Sequence, residues 1–243
     1  MKQVATFGAV LGPLLLWAGS ALGQQADGGA APAAGNSDHV NVVGHLGIGY
    51  LGRRTVLIAG PGTGVADPTP VDAPVLGVRY WLNPMLGIDA GLGLSFTSGS
   101  VTPPGGDEVD KVGSTVFILH AGVPLSLASS QHFSFQVVPE INVGMASATQ
   151  ELDPAPDNEL SGFHLDIGAR AGAEIHFGFI DVPQLSLQGG VGLSFAYDSV
   201  SASNAAGTDP DEESSDSTTT FGTSLAGNPW DIFTGNISAL YYF

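Results

Sequence analysis

The sequence predicts an all-β fold: a closed, antiparallel, up-and-down, eight-stranded transmembrane β-barrel. Three observations predict it. Eight stretches alternate apolar and polar residues with period two, the mark of a strand with two unlike faces. The connections between them alternate in length, short and long. Several stretches run beyond ten residues, whereas soluble sheets use strands of about 5–6 and a tilted bilayer span needs about 9–11.

The first strand is read in "GHLGIGYLG", where Leu46, Ile48 and Tyr50 share a face with His45, Gly47 and Gly49 opposite. The second is "PVLGVRYWL". The third, "LGIDAGLGLSFTS", sets Leu86, Ile88, Ala90, Leu92, Leu94 and Phe96 against Gly87, Asp89, Gly91, Gly93, Ser95 and Thr97. The next four are "STVFILHAGVPLSL", "FSFQVVPEINVGM", "FHLDIGARAGAEIHF" and "LSLQGGVGLSFAY". The eighth is the ending, "GNISALYYF", where Ile237, Ala239, Tyr241 and Phe243 alternate with Asn236, Ser238 and Tyr242.

Strands two and three are joined by "NPM", four and five by "ASSQH", and six and seven by "GFIDVPQ". The other four connections are long, which gives the meander two unlike rims. Pro124 and Pro139 fall inside strands, and each removes a ladder donor, so a bulge or break is expected at both. The stretch from Phe221 to Trp230 reads equally as loop or as an upward extension of the last strand.

Ahead of the strands, Lys2, an apolar run and the small-x-small site Ala21-Leu22-Gly23 read as a signal peptide over residues 1–23. Residues 24–38, "QQADGGAAPAAGNSD", read as a flexible tail, and residues 39–243 as the barrel. The chain of 243 residues carries 6 Lys+Arg against 23 Asp+Glu, a net charge of −17. That excludes nucleic acid as a partner, because no basic patch meets phosphates. Cysteine is absent, which excludes disulfides, thiolate metal sites and a lipid-modified N-terminal cysteine.

An apolar face this long, with a polar face made of glycines and isolated charges, fits a strand with lipid outside and a crowded lumen inside. Such a sheet must close, since an open edge would leave peptide groups unpaired in hydrocarbon. With the signal segment, the eight strands and the terminal "NISALYYF" in place, the chain resembles the small outer-membrane β-barrel superfamily of the OmpA, OmpX and OmpW kind, over about residues 39 to 243. The resemblance implies an outer-membrane location among lipid and lipopolysaccharide. It also implies recognition by the barrel assembly machinery through Ile237, Tyr241 and Phe243. No peptidoglycan-binding domain of the OmpA kind is read in the sequence.

The inward positions carry Arg79, Asp89, His120, Glu140, His164, Asp166, Arg170, Glu174 and His176. A tight "NPM" turn puts Arg79 opposite Asp89. Closing "ASSQH" between Leu127 and Phe133 puts His120 opposite Glu140, with Arg170 at a matching height. Eight strands leave an interior just wide enough for side chains, so a polar network that plugs the lumen is expected. No enzyme is expected: His164 and Asp166 share a face, but no nucleophile stands beside them in a recognisable motif. "GPGTG" lacks the Lys-Ser/Thr end of a phosphate loop, the six histidines show no metal-ligand spacing that survives the strand geometry, and neither metal nor cofactor is expected. The acidic stretches "GGDEVD", "ELDPAPDNE" and "DPDEESSD" read as solvated loops, with divalent-cation binding a weaker reading, since none has EF-hand spacing.

The role expected from the sequence is a structural or surface-interaction protein, or a subunit of a secretion or motility complex with other envelope proteins. The alternative is a narrow transport barrel for small or hydrophobic solutes. Deleting Phe243 is predicted to impair membrane insertion; normal insertion of that variant, read from heat-modifiable migration in SDS gels, would contradict the weight placed on the ending.

Overall fold

The computed structural model describes residues 37–60, 64–102, 104–106, 109–152, 155–203, 213–224 and 236–243. The signal peptide read over residues 1–23 lies outside these. So does the tail read over residues 24–38, except Ser37 and Asp38. A short helix, α1 (Asp38–Asn41), comes first. The strands are β1 (Leu46–Gly60), β2 (Gly64–Trp81), β3 (Gly87–Thr97), β4 (Ser100–Val101), β5 (Val109–Asp110), β6 (Gly113–Gly122), β7 (Leu125–Ser129), β8 (Phe133–Leu152), β9 (Ala155–Phe177), β10 (Val182–Ser203), β11 (Glu213–Thr223) and β12 (Ile237–Tyr242).

Eight staves close into a ring. Antiparallel ladders run β1–β2, β2–β3, β3–β6, β6–β8, β8–β9, β9–β10 and β10–β12, and the seam β12–β1 pairs Gly47 with Tyr242 and Tyr50 with Ala239. The fourth stave is β6 continued by β7. The eighth is β12, with β11 above it on the same edge of β10. β4 and β5 form a separate two-stranded ribbon.

The faces are inverted relative to a water-soluble sandwich. Ile48, Leu76, Ile88, Leu92, Leu94, Phe117, Leu119, Phe135, Ile141, Ile167, Leu193 and Phe195 all point outward and are exposed, as do Tyr241 and Phe243. Such a continuous apolar exterior matches lipid and would be an aggregation hazard in water. Aromatic side chains gather at the short-turn rim, where Tyr241 stacks edge-on against Phe243 with ring centroids 5.0 Å apart. Among the described residues no helix is long and apolar enough to cross a membrane.

Four expectations change. The long connections over residues 52–73 and 147–162 are mostly strand, and β8, β9 and β10 have 20, 23 and 22 residues, against the about 9–11 that a bilayer span uses. Their upper halves rise beyond the apolar belt as paired hairpins. Second, Pro139 makes no bulge; it pairs in register with Ala169. Its carbonyl accepts from Val123 N–H at 2.9 Å, so its missing donor faces the gap between β6 and β7 that holds Pro124. Two prolines thus share one interruption. Third, the turn after β7 closes through Ser130 N–H to Phe133 O at 2.7 Å, and a bulge falls between Ser126 and Ala128. The register moves by two, and His120 faces Asn142 instead of Glu140. Fourth, the last stave is interrupted: Thr223 pairs Leu193 while Ile237 pairs Gly189, so fourteen positions of chain span four of β10. Phe221 is strand, and Trp230 lies outside the described residues.

The first hairpin bends into the barrel. Gly52 adopts φ 118°, open to glycine, at a register shift between Tyr50 and Gly52. Leu51 just before it and Val56, Ile58 and Ala59 beyond it are buried, and they join Val116, Ile118, Ala146, Ala148, Leu160, Val200 and Ala202 in one apolar cluster. β1 therefore touches β8, β9 and β10 on the opposite wall, none of them a ladder partner. Gly162 permits the closest approach: a Cβ there would lie 1.7 Å from the Leu57 carbonyl oxygen. The interior is thus apolar toward the long hairpins and polar only below, where a uniformly polar lumen is expected from the alternation.

The chain lacks cysteine, so Ile58→Cys supplies a single clean probe. Maleimide labelling of that thiol is expected to be slow in the otherwise unchanged barrel and fast when Gly162→Val is added; equal rates would contradict the inward packing of the hairpin.

Candidate functional site

Period-two alternation places every candidate lumen residue inward, but the structure sorts them into two clusters. The lower cluster centres on Arg79 of β2, which is fully buried. Its Nε and Nη2 donate to Asp89 Oδ1 and Oδ2 of β3, both at 2.7 Å. This fork-on-fork contact follows from their direct cross-strand pairing. Nη1 reaches Gln136 Oε1 at 3.2 Å and Glu174 Oε2 at 3.5 Å. Glu174 also accepts from Gln136 Nε2, from Ser186 Oγ at 2.6 Å and from the Tyr242 hydroxyl at 3.0 Å. Tyr242 in turn accepts from Trp81 Nε1 at 3.2 Å. Seven side chains from six strands satisfy one another, as burial of charge in a narrow interior demands.

The upper cluster is built around Glu140, His164 and Asp166. Glu140 sits between two guanidinium groups, Arg54 at 3.0 Å and Arg170 at 2.7 Å. His120 Nδ1 lies 2.7 Å from Asn142 Oδ1, and Asn142 Nδ2 donates to Asp166 at 2.9 Å. His164 has both ring nitrogens on carboxylates, Asp166 at 3.2 Å and Asp198 at 2.8 Å. A carboxylate only accepts, so both nitrogens carry protons and the ring has no lone pair to act as a base. Beside this cluster is a recess of about 120 Å³, well below the roughly 300–1,000 Å³ of a small-molecule site.

The short-turn end is closed by α1. Ser37 caps it, accepting from Val40 N–H at 3.3 Å. Asp38 N–H donates to Gln131 O at 2.8 Å, and its carboxylate lies 2.6 Å from His132 Nδ1. His39 points into the barrel floor: Nε2 donates to Pro84 O at 2.8 Å, and the ring stands edge-on to Trp81 with centroids 4.5 Å apart. Gly178, in the third short turn, leaves room for the Asp38 carboxylate, which a Cβ would meet at 2.1 Å. One turn of helix is thus fastened to all three short turns. Burial holds the His39 imidazole below its ordinary pKa, so the ring is neutral at neutral pH.

Of the nine lumen residues named from the sequence, eight lie in these clusters and His176 is buried beside Glu174, while Tyr241 and Phe243 lie on the outer surface. Missed from the sequence were Gln136, Ser186, Gln188 and Asp198, which share the inward parity of their strands and could have been read from it. Arg54 and His39 carried no such signal, because they sit on a bent hairpin and on a helix.

Fold and site together define a closed, antiparallel, eight-stranded barrel with a filled interior and a lipid-matched exterior, the architecture of the small barrels that the sequence resembles. No family model matches the chain, and no curated protein matches it. Among solved structures it is similar to Ail, the attachment invasion locus protein of Yersinia pestis. The identity is 13%, over 82% of this chain and 97% of that one, with a TM-score of 0.37. A likeness this loose bears on neither ligand nor activity.

Removing Arg79 strands two buried carboxylates, and breaking a buried pair costs about 3–5 kcal/mol. Arg79→Met is expected to lower the urea unfolding midpoint in micelles by a corresponding amount, and Arg79→Met with Asp89→Leu to recover part of it. A midpoint unchanged in the single variant would contradict the role given to this guanidinium.

Proposed function

We propose that this chain is an integral outer-membrane protein that conducts nothing and works through the hairpins standing above its membrane belt. It would serve as a structural or surface-interaction protein, or as a subunit of an envelope assembly such as a secretion or motility complex. The observation that carries this reading is closure of the lumen at three levels: α1 below, the paired charges in the middle, and the apolar packing of the first hairpin above. A transport barrel would need a continuous path, and these levels count against the narrow-transport alternative.

The exterior supports the membrane location. The apolar belt needs lipid, and the aromatic side chains at its lower edge fit an interface. In this orientation α1 and the short turns face the periplasm and the long hairpins face outside. The upper halves of β8, β9 and β10 stand roughly 25 Å above the belt, taking about ten residues at 3.3 Å each with a 40° tilt. Together with β11 and the first hairpin they expose acid at Asp67, Asp72, Asp157, Glu159, Glu213 and Asp216. Paired strands hold such a surface out without loop entropy, which suits contact with lipopolysaccharide or a neighbouring protein. The doubly proton-bearing His164 supports a non-enzymatic role. Insertion by the barrel assembly machinery through the terminal strand belongs to the same proposal.

Refolded protein in planar bilayers is expected to give no discrete conductance steps, and co-purification from the native outer membrane to recover envelope proteins with the barrel. Discrete openings in the unmodified protein would overturn the reading.

A further inference from the structure

The floor of the barrel holds a feature that the closed-barrel role does not use. His39 of α1, and Glu174 and His176 of β9, offer one ligand atom each, all within 4.8 Å of one another, and all three residues are buried. His176 Nε2 lies 4.0 Å from Glu174 Oε2. Both rings are oriented by backbone carbonyls: His39 Nε2 meets Pro84 O, and His176 Nδ1 meets Pro183 O at 3.3 Å. A carbonyl only accepts, so those nitrogens carry the protons and His39 Nδ1 and His176 Nε2 hold lone pairs. These two nitrogens are buried and have no hydrogen-bond partner. Leaving two such buried acceptors unsatisfied is costly.

Charge points the same way. The lower cluster sets the carboxylates of Asp89 and Glu174 against one guanidinium, Arg79. Two carboxylates thus share a single guanidinium among buried groups. Two imidazole nitrogens and a carboxylate, each imidazole fixed by a carbonyl on its far side, are the donor set and outer shell of a zinc-type site.

We propose that His39, Glu174 and His176 bind a divalent transition metal of the Zn²⁺ class, which staples the plug helix to the barrel floor. A tetrahedral site needs donors about 3.4 Å apart, so loading draws α1 inward by about an ångström. The fourth position is left to water or to a group from the short-turn side. Proton binding at His176 is the competing way to balance the charge, and it would leave no affinity for metal.

The test uses the refolded barrel in detergent, stripped with chelator. Titration with Zn²⁺, and with Co²⁺ as a visible probe, is expected to reach one metal per chain. Co²⁺ should show the intense absorption of a four-coordinate ion. His39→Ala and His176→Ala should each weaken binding at least tenfold, while His45→Ala, at an exposed position, should leave it unchanged. Heat-modifiable migration establishes that each variant is folded. Because α1 lies outside the barrel wall, His39→Ala isolates the site even if His176→Ala does not fold. A barrel that binds neither metal, or binds equally well after His39→Ala, overturns the proposal. Silence in planar bilayers is independent of this result, so the proposed role and the metal site can fail separately.

Discussion

Everything in this molecule follows from the ladder between β1 and β12. That pairing removes the last free edge, and in hydrocarbon a free edge is untenable because no water can satisfy its peptide groups. Once the ring closes at eight staves, its bore is about as wide as the side chains that line it. No room remains for a hydrated charge, so every inward acid or base has to find a partner on another stave. The fork of Arg79 on Asp89 and the bracketing of Glu140 by Arg54 and Arg170 answer that demand.

The alternation of small and large side chains shapes the same bore. Gly162 and Gly144 open a trough on one wall, and Leu57 and Val56 fill it from across the lumen. A hairpin that begins as wall thus ends as stopper. The apolar interior above and the polar interior below solve one packing problem in two ways. Where a strand segment can enter, apolar contact fills the bore; where none can, long polar side chains meet in the middle.

Much of this was legible in the residues. Period-two alternation located every stave, and parity assigned each inward residue, since one step along a strand reverses its face. The tight "NPM" turn put Arg79 opposite Asp89, because a short turn fixes register. Register failed where a connection had freedom: the turn closes between Ser129 and Ser134 instead of Leu127 and Phe133, one bulge near Ser126 takes back a single residue, and His120 ends opposite Asn142 instead of Glu140. The inward bend at Gly52 was not legible, because "RRTVLIAGPGTG" has the composition of a loop and its packing partners lie on strands far away in sequence. His39 was hidden for a similar reason. The contacts of its helix are with three turns, and no local periodicity announces a helix of four residues.

The seam also governs how the chain can be made. Gly47 and Tyr242 stand nearly two hundred residues apart, yet they are neighbours in the ring. Contacts of such long range are the slowest to form, because the entropy of closing the intervening loop has to be met first. No partial chain can hold the finished shape: until β12 is present, β1 and β10 both offer unpaired edges. The intermediate is a curved, sticky sheet, with the segment of β1 that will seal its own mouth still uncommitted. Those edges stay open until the last strand closes the ring as a latch.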